Sequence, residues 1–451
     1  MKRTVLFAIL LVLAPTLGAQ QLKVLQDVTV IDVKAGKAVP HQDVLISGLT
    51  IKAVQNTSEP PKDATVLHRG GYVIPGLWDM HVHLAGINAD PKWSGDVLLP
   101  QLLKYGITTV RDMGGDLEAL KRWRAEISAG TRVGPTLYFA GPMLAAQPST
   151  SVDQRTVQTA DQARQAVDDL KAQGADFIKI LHIPRAAYFP LAEEAKKQNI
   201  SFVGHLPFGV TVQEAAEAGQ KSIEHINWSV LAIDCSAHPK ETRVKVIAAL
   251  QGQDDKAYEK VLDEAAANFD ETSCASVAQA MTQHGTVSVP TLVSEEIAAN
   301  VTTHRPDESY LKLLPQKLQQ DWSADKLLKD NPSEHVAWLQ RQLKSDLCIA
   351  AFLHAHGVEM LAGSDSLDTM TFPGPTLQRE LQLLVQIGMT PAEALRAATF
   401  DSAKFMGKDA ESGTIEPGKT ADLVVLSANP LEEIGNTGKI EAVIVRGTKS
   451  Q

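Results

Sequence analysis

Apolar and polar residues alternate with a period of two from Lys23 to about Ala64, in "KVLQDVTVIDV" and "QDVLISGLTIKAV". Successive strand side chains point to opposite faces, so this alternation predicts β-structure, with Gly36 and Gly48 as turns. From Tyr72 to about Ala398 the pattern changes. Short apolar runs now alternate with stretches of helical period, the signature of a parallel sheet. Eight runs read as strands: 72–83, 107–112, 135–140, 176–181, 200–205, 221–226, 286–292 and 357–363. Thr211 with Glu214 reads as a capping box, as does Thr390 with Glu393, where Pro391 takes the first helical turn. Thr159–Gly174 reads as an amphipathic helix closed by glycine. Eight βα repeats predict the α/β class and a (β/α)8 TIM-type barrel.

The last fifty residues return to β-pattern in "GTIEPGKTADLVVLSANP" and "IEAVIVRG". Neither terminal segment is large enough to bury a core alone. The expected arrangement is one small β-sandwich made from 20–70 and 405–451, with the barrel, 71–404, inserted between them. Two connections, 227–285 and 293–356, are long and mostly helical. They leave the face where barrel enzymes place their sites, so they form a lid or pocket wall, or else a subunit interface.

Composition narrows the class. The chain has 451 residues, 44% apolar and 21% charged, which excludes disordered and collagen-like chains. A formal charge of −10 with no long basic run argues against a nucleic-acid scaffold. Lys2 and Arg3, the apolar run Val5–Leu13, then Pro15, Gly18 and Ala19 form the layout of a secretory signal peptide over 1–19. Its apolar run is short of the roughly 20 residues that span a bilayer, so export to the periplasm or medium is expected, without stable membrane insertion. In an oxidising compartment Cys235 and Cys274, which flank one insertion, could be bridged, leaving Cys348 as a buried thiol. Three unpaired core cysteines fit the sequence as well. No CxxC pair exists, so cysteine zinc clusters are excluded, and 13 histidines become the chemical surplus.

His81 and His83 in "PGLWDMHVHL" share one face of a strand end. Lys179 in "ADFIKILH" lies on an apolar strand, where a lysine pointing into a barrel is costly unless paired or modified. His205 in "ISFVGHLP", His225 in "SIEHI" and Asp365 in "EMLAGSDS" each end a strand. Any one of these alone is more often structural. Metal-capable residues at five strand ends on one face are not. Arg111 and Asp112 read as a pair behind the site or as a structural pair, and His182 as a pocket residue or a core histidine. His354 and His356 read as structural; His41, His68, His238, His284, His304 and His335 have no ligand-like placement.

The ordered set His81, His83, Lys179, His205, His225, Asp365 resembles the amidohydrolase superfamily, in its imidazolonepropionase-like and prolidase-like branch. The resemblance extends through "VIPGLWDMHVHL", "YGITTVRDMGG", "AGQKSIEHI", "LAGSDS", "TPAEALRAATFDSAKFMG" and "GTIEPGKTADLVVLSANPL". It implies two divalent metal ions, zinc by default, with manganese, iron or cobalt suited to the same ligands. By resemblance His81, His83 and Asp365 bind the first and His205 and His225 the second. Lys179, as N6-carboxylysine, bridges them with a hydroxide, and Asp365 is the general base and acid. The implied activity is hydrolysis of a C–N bond in a small peptide-like or N-acyl amino-acid substrate. A cyclic amide or lactone is the alternative. A non-catalytic binding protein on a retired enzyme fold is the remote one, and it would require loss of a ligand that this chain retains. The substrate motifs depart from the family. Pro207 stands where prolidase-like relatives carry tyrosine, "LYFAGPM" has no histidine, and "LHIPRAAYFP" replaces a glycine-rich stretch. His182, Arg185 and Tyr188 could form a replacement anchor; the alternative is that Arg185 and Tyr188 are surface loop residues. A homo-oligomer is compatible with all of this.

Overall fold

A computed structural model describes residues 21–86, 90–226, 231–304 and 307–450. The expected signal peptide lies outside these residues. Among them, no helix is long and apolar enough to cross a membrane.

The two ends of the chain join in one eight-stranded sheet. Leu423–Leu426 pairs antiparallel with Tyr72–Pro75, which pairs parallel with Leu22–Asp32. The sheet continues through Lys37–Ser47 and Thr50–Asn56 on one side and Ile440–Val445 and Thr448–Lys449 on the other. The backbone N–H of Ile51 in the far strand donates to the Lys419 carbonyl at 2.8 Å, just before Leu423. One continuous hydrogen-bonded sheet therefore joins the two ends of the chain. It has its own core of Leu25, Val44, Ile46, Val73, Leu423 and Ile444.

The first expected barrel strand, 72–83, is two strands. Tyr72–Pro75 belongs to the terminal sheet and β1 (Leu77–Val82) to the inner one. They part at Gly76, where a Cβ would lie 2.0 Å from the Thr108 hydroxyl. β1 pairs parallel with β2 (Ile107–Asp112), which pairs with β3 (Thr136–Phe139). A second parallel ladder runs through β4 (Phe177–His182), β5 (Ser201–Gly204), β6 (Ser222–Glu224) and β7 (Val287–Val289). The short strand Met143–Ala145 lies against the open edge of β4. The expected eighth strand, 357–363, makes one isolated bridge, Met360 to Ser288, and Ser366 just beyond it bridges Val82. It still hydrogen-bonds both neighbours, Leu361 N–H to Ser288 and Met80 N–H to Ala362, each at 2.9 Å. The ladders do not close into one sheet. Packing is close here: a Cβ on Gly363 would lie 2.7 Å from Val289 and 2.8 Å from the His81 Cβ, so glycine lets the segment sit against both neighbours.

The helices start where side-chain caps place them. Thr159, Thr211 and Thr390 each close a capping box, with Gln162, Glu214 and Glu393. Both insertions are helical and pack on one another. Arg341 on the long helix Ser333–Ala355 pairs with Asp263 at 2.8 Å, and Phe352 meets Phe269 edge-on. Cys235 and Cys274 are bridged. Cys348 is exposed rather than buried. The buried stripe of its helix runs through Gln342, Asp346, Ile349 and Leu353, and position 348 falls off it.

Candidate metal centre

β1 presents His81, and His83 follows one residue beyond the strand. The Asp365 N–H donates to the His81 carbonyl at 2.8 Å, which brings its carboxylate to the same point. His81 Nε2 lies 3.3 Å from His83 Nε2 and 3.2 Å from Asp365 Oδ1, which is 3.5 Å from His83 Nε2. The tautomers follow from the outer partners. Glu224 Oε2 accepts from His81 Nδ1 at 2.9 Å, and the Gly114 carbonyl accepts from His83 Nδ1 at 3.0 Å. In the neutral rings both Nε2 atoms therefore carry lone pairs. Three acceptors converge on one small volume, an arrangement that a cation satisfies.

The remaining residues line up beside it. His225 follows β6, and its ring centroid is 4.9 Å from those of His81 and His205. The Thr291 hydroxyl donates to the Pro290 carbonyl at 2.8 Å, so it accepts from His225 Nδ1 at 2.5 Å and frees Nε2. His205 Nδ1 and Lys179 Nζ are buried and have no hydrogen-bond partner. Orphaned buried nitrogens are costly, and these two fit a divalent ion with N/O ligands. Lys179 is fully buried, and desolvation pushes its amine down to about 8, with Arg111 adding to the effect against Glu224 and Asp365. Burial and the neighbouring Lys179 hold His81 and His205 well below the usual imidazole range, in the neutral form that binds metal. His225 is held down to about 4, chiefly by burial. At Asp365 burial acts upward, but the His81, His225 and His83 rings overcome it and depress the carboxylate.

Close packing shapes the strand ends. Gly204 has φ +124°, and a Cβ there would meet the Ile180 carbonyl at 2.1 Å and Lys179 Cδ at 2.9 Å, so only glycine lets β5 sit against the lysine. His225, Thr291 and Asp365 also have left-handed backbone, at φ +63°, +47° and +54°.

Sequence reading missed Glu224. It is fully buried, accepts from Arg111 Nη2 at 2.9 and 3.0 Å and from the Ser222 hydroxyl, and holds His81. Its signal was its place beside His225 on a short strand with an inward-facing Ser222. Arg111 and Asp112 do not pair with each other, because adjacent strand residues face opposite sides. Arg111 serves Glu224. Asp112 accepts from the Leu84 and Gly114 N–H groups and so fixes the loop whose carbonyl holds His83. Asp79, also unforeseen, ties β1 to the eighth segment through the Ser364 N–H and hydroxyl at 2.9 and 2.5 Å.

A cavity of about 380 Å³ opens over these groups and is walled by Met143, Leu181, His182, Leu367 and Asp368. Of the three expected substrate contacts, His182 lines it, with a buried and unpartnered Nδ1. Arg185 and Tyr188 do not. Arg185 begins the helix Arg185–Lys197 and is neutralised by Glu214 at 2.6 and 2.7 Å. Tyr188 lies on the buried face of that helix, and its hydroxyl donates to Gln220 at 2.7 Å.

The amidohydrolase family model matches residues 72–449. Over 462 aligned positions the chain is 24% identical to an ochratoxinase of Aspergillus niger, covering 88% of this chain and 80% of the relative. It is 36% identical over 97 residues to an imidazolonepropionase of Pseudomonas syringae pv. tomato, covering 21% of this chain and 24% of that one. A Xaa-Pro dipeptidase crystallised with methionine superposes with a TM-score of 0.69 at 19% identity, over 95% of this chain and 99% of that one. The match to the family model, together with the superposed fold, gives a TIM-barrel hydrolase acting on C–N bonds. The chain belongs to the amidohydrolase family.

Proposed function

We propose that this chain is an exported, metal-dependent amidohydrolase that cleaves the C–N bond of peptide-like or N-acyl amino-acid substrates. The observation that carries the reading is the convergence of His81, His83 and Asp365, whose ligand atoms all lie within 4.8 Å of one another. In this reading these three hold one divalent ion, and His205 and His225 hold a second. Neutral Lys179 Nζ would add to carbon dioxide, forming an N–C bond and releasing a proton, and the carbamate would serve as an anionic oxygen ligand beside these histidines. Bound ions of this kind supply a water of lowered pKa and polarise a carbonyl.

The chain's own residues do the rest. Asp365 accepts the proton of the attacking water and returns it to the leaving nitrogen. Glu224, Gly114 and Thr291 keep three imidazoles in the tautomer that leaves Nε2 open. The bridge between Cys235 and Cys274 supports an oxidising compartment reached through the 1–19 leader. We also place the barrel at 71–404, completed by the segment around Met360–Ser366, with the terminal β-domain from 20–70 and 405–451.

Elemental analysis of the purified protein, joined to a panel of N-acyl amino acids, dipeptides, hydantoins and lactones, tests this. Divalent metal with turnover of the acyclic amides is the expected result. Turnover confined to the cyclic substrates would move the assignment to them. Absence of both metal and hydrolysis would overturn it.

A further inference from the structure

The helix Leu292–Ala299 starts directly behind the metal centre, at Thr291. Its first backbone N–H groups have no partner inside the helix, and Leu292 and Val293 are buried, so water does not serve them. A threonine in this position normally supplies the acceptor itself. Thr159, Thr211 and Thr390 do so, each taking the N–H of the third helical residue on its hydroxyl. Thr291 makes no such bond. Its hydroxyl donates to the Pro290 carbonyl at 2.8 Å and accepts from His225 Nδ1 at 2.5 Å. The acceptor comes instead from another helix. Glu380, on Pro375–Gln386, accepts from the Val293 N–H at 2.8 Å, and the Leu292 N–H faces the same carboxylate. The neighbouring Arg379 adds a two-point ion pair with Glu296, at 2.6 and 2.7 Å, which ties the same two helices together.

Helix capping and ligand orientation compete for one hydroxyl. Without Glu380 the buried Val293 N–H has no acceptor, and Thr291 stands where an N-cap side chain reaches that group. Turned to it, the hydroxyl leaves His225 Nδ1 without its acceptor, and the imidazole is free to carry its proton on Nε2. We propose that Glu380 is a positioning residue for His225: by capping the helix in place of Thr291, it leaves the Thr291 hydroxyl to His225 Nδ1 and so keeps Nε2 open to the second ion. Glu380 acts through Thr291 rather than on the ligand itself.

The inference rests on the two-ion reading, and two measurements separate their failures. The first needs no metal. Nitrogen NMR of metal-free, histidine-labelled protein reads the His225 tautomer, its signal being the one missing from His225→Gln. Wild type and Glu380→Gln, whose amide carbonyl still accepts from Val293, should hold the proton on Nδ1. Glu380→Met should shift it toward Nε2, and Glu380→Leu repeats the test with a second side chain that cannot accept. The second measurement is titration with cobalt(II), followed by visible absorption. Glu380→Met should weaken the second ion roughly 10–100-fold and leave the first within about twofold, and Glu380→Gln should leave both. Leu384→Ala opens a cavity one turn along the same helix, where Leu384 is fully buried. It should lower the urea midpoint and leave both ions unchanged. A tautomer indifferent to Glu380→Met and Glu380→Leu overturns the positioning role. So does a second ion that Glu380→Met binds as tightly as wild type, or that Leu384→Ala weakens as much. A tautomer shift in a protein that takes no second ion even as wild type keeps the role and overturns the two-ion reading. Neither shift nor second ion overturns both.

Discussion

Glu224→Gln removes one charge and almost no volume from the wall behind the metal centre. The carboxylate accepts from His81 Nδ1 at 2.9 Å, from Arg111 Nη2 at 2.9 and 3.0 Å and from Ser222. Arg111 is fully buried, and its remaining contacts are the Met80 carbonyl, the Ser222 hydroxyl and the rings of Phe177 and Phe405. Breaking a buried ion pair by neutralising one partner costs about 3–5 kcal/mol, because the other charge is left without compensation. A second loss is separate. Weakening the hydrogen bond that orients a ligating imidazole lowers metal affinity 10–100-fold, or about 1.4–2.7 kcal/mol. Adding Arg111→Met to Glu224→Gln should recover most of the stability of the metal-free protein but none of the affinity. Urea denaturation of the metal-free variants reads the first quantity, and competition with a chelating dye for zinc reads the second. Glu224→Gln protein within about 1 kcal/mol of wild type in stability and within twofold in zinc affinity would refute the chain from Arg111 through Glu224 to His81.

Asp365→Asn should leave the circular dichroism spectrum intact and lower kcat by roughly 10²–10⁴, the usual contribution of a proton-transfer group. Lys179→Ala should be nearly inactive and partly rescued by millimolar short-chain carboxylic acids; full activity without them would remove the carbamate. Glu380 is fully buried, with Oε1 unpartnered and Oε2 accepting from the Val293 N–H, and burial pushes it up to about 8. Its folded-state pKa exceeds the unfolded value, so the folded protein holds the extra proton between about pH 4.5 and 8 and loses stability as pH rises, by roughly 1.4 kcal/mol per unit. Glu380→Gln should flatten that decline in urea melts at pH 5 and pH 8. Cys235 and Cys274 close a loop of 39 residues, so Cys274→Ser should cost about 4 kcal/mol and lower the thermal midpoint to that of the reduced protein.

Strand periodicity located β1 to β7, and residues at or just past their ends became site candidates because a strand end exposes its last side chain. Helix starts were legible at Thr211 and Thr390 because capping is local chemistry. What stayed hidden depends on contacts distant in sequence. Gly76 breaks a continuous apolar run because Thr108, from the next strand, crowds it. The 357–363 run was apolar enough for a strand, yet it makes only an isolated bridge, Met360 to Ser288. Glu224 is 113 positions from Arg111 and 143 from His81, a separation no local pattern reports. Arg185 looked available for a ligand because its partner Glu214 lies on another helix.

The left-handed residues at the strand ends carry an evolutionary consequence. Such backbone costs a non-glycine residue about 1–3 kcal/mol, most for a β-branched one such as Thr291. Asp365, His225 and Thr291 thus pull against the stability of the scaffold that holds them. A lineage selected for heat tolerance alone would exchange these positions for glycine or asparagine and gain robustness while the chemistry disappeared. In a library of this chain sorted by melting temperature, the most durable members should be enriched in catalytically silent ones.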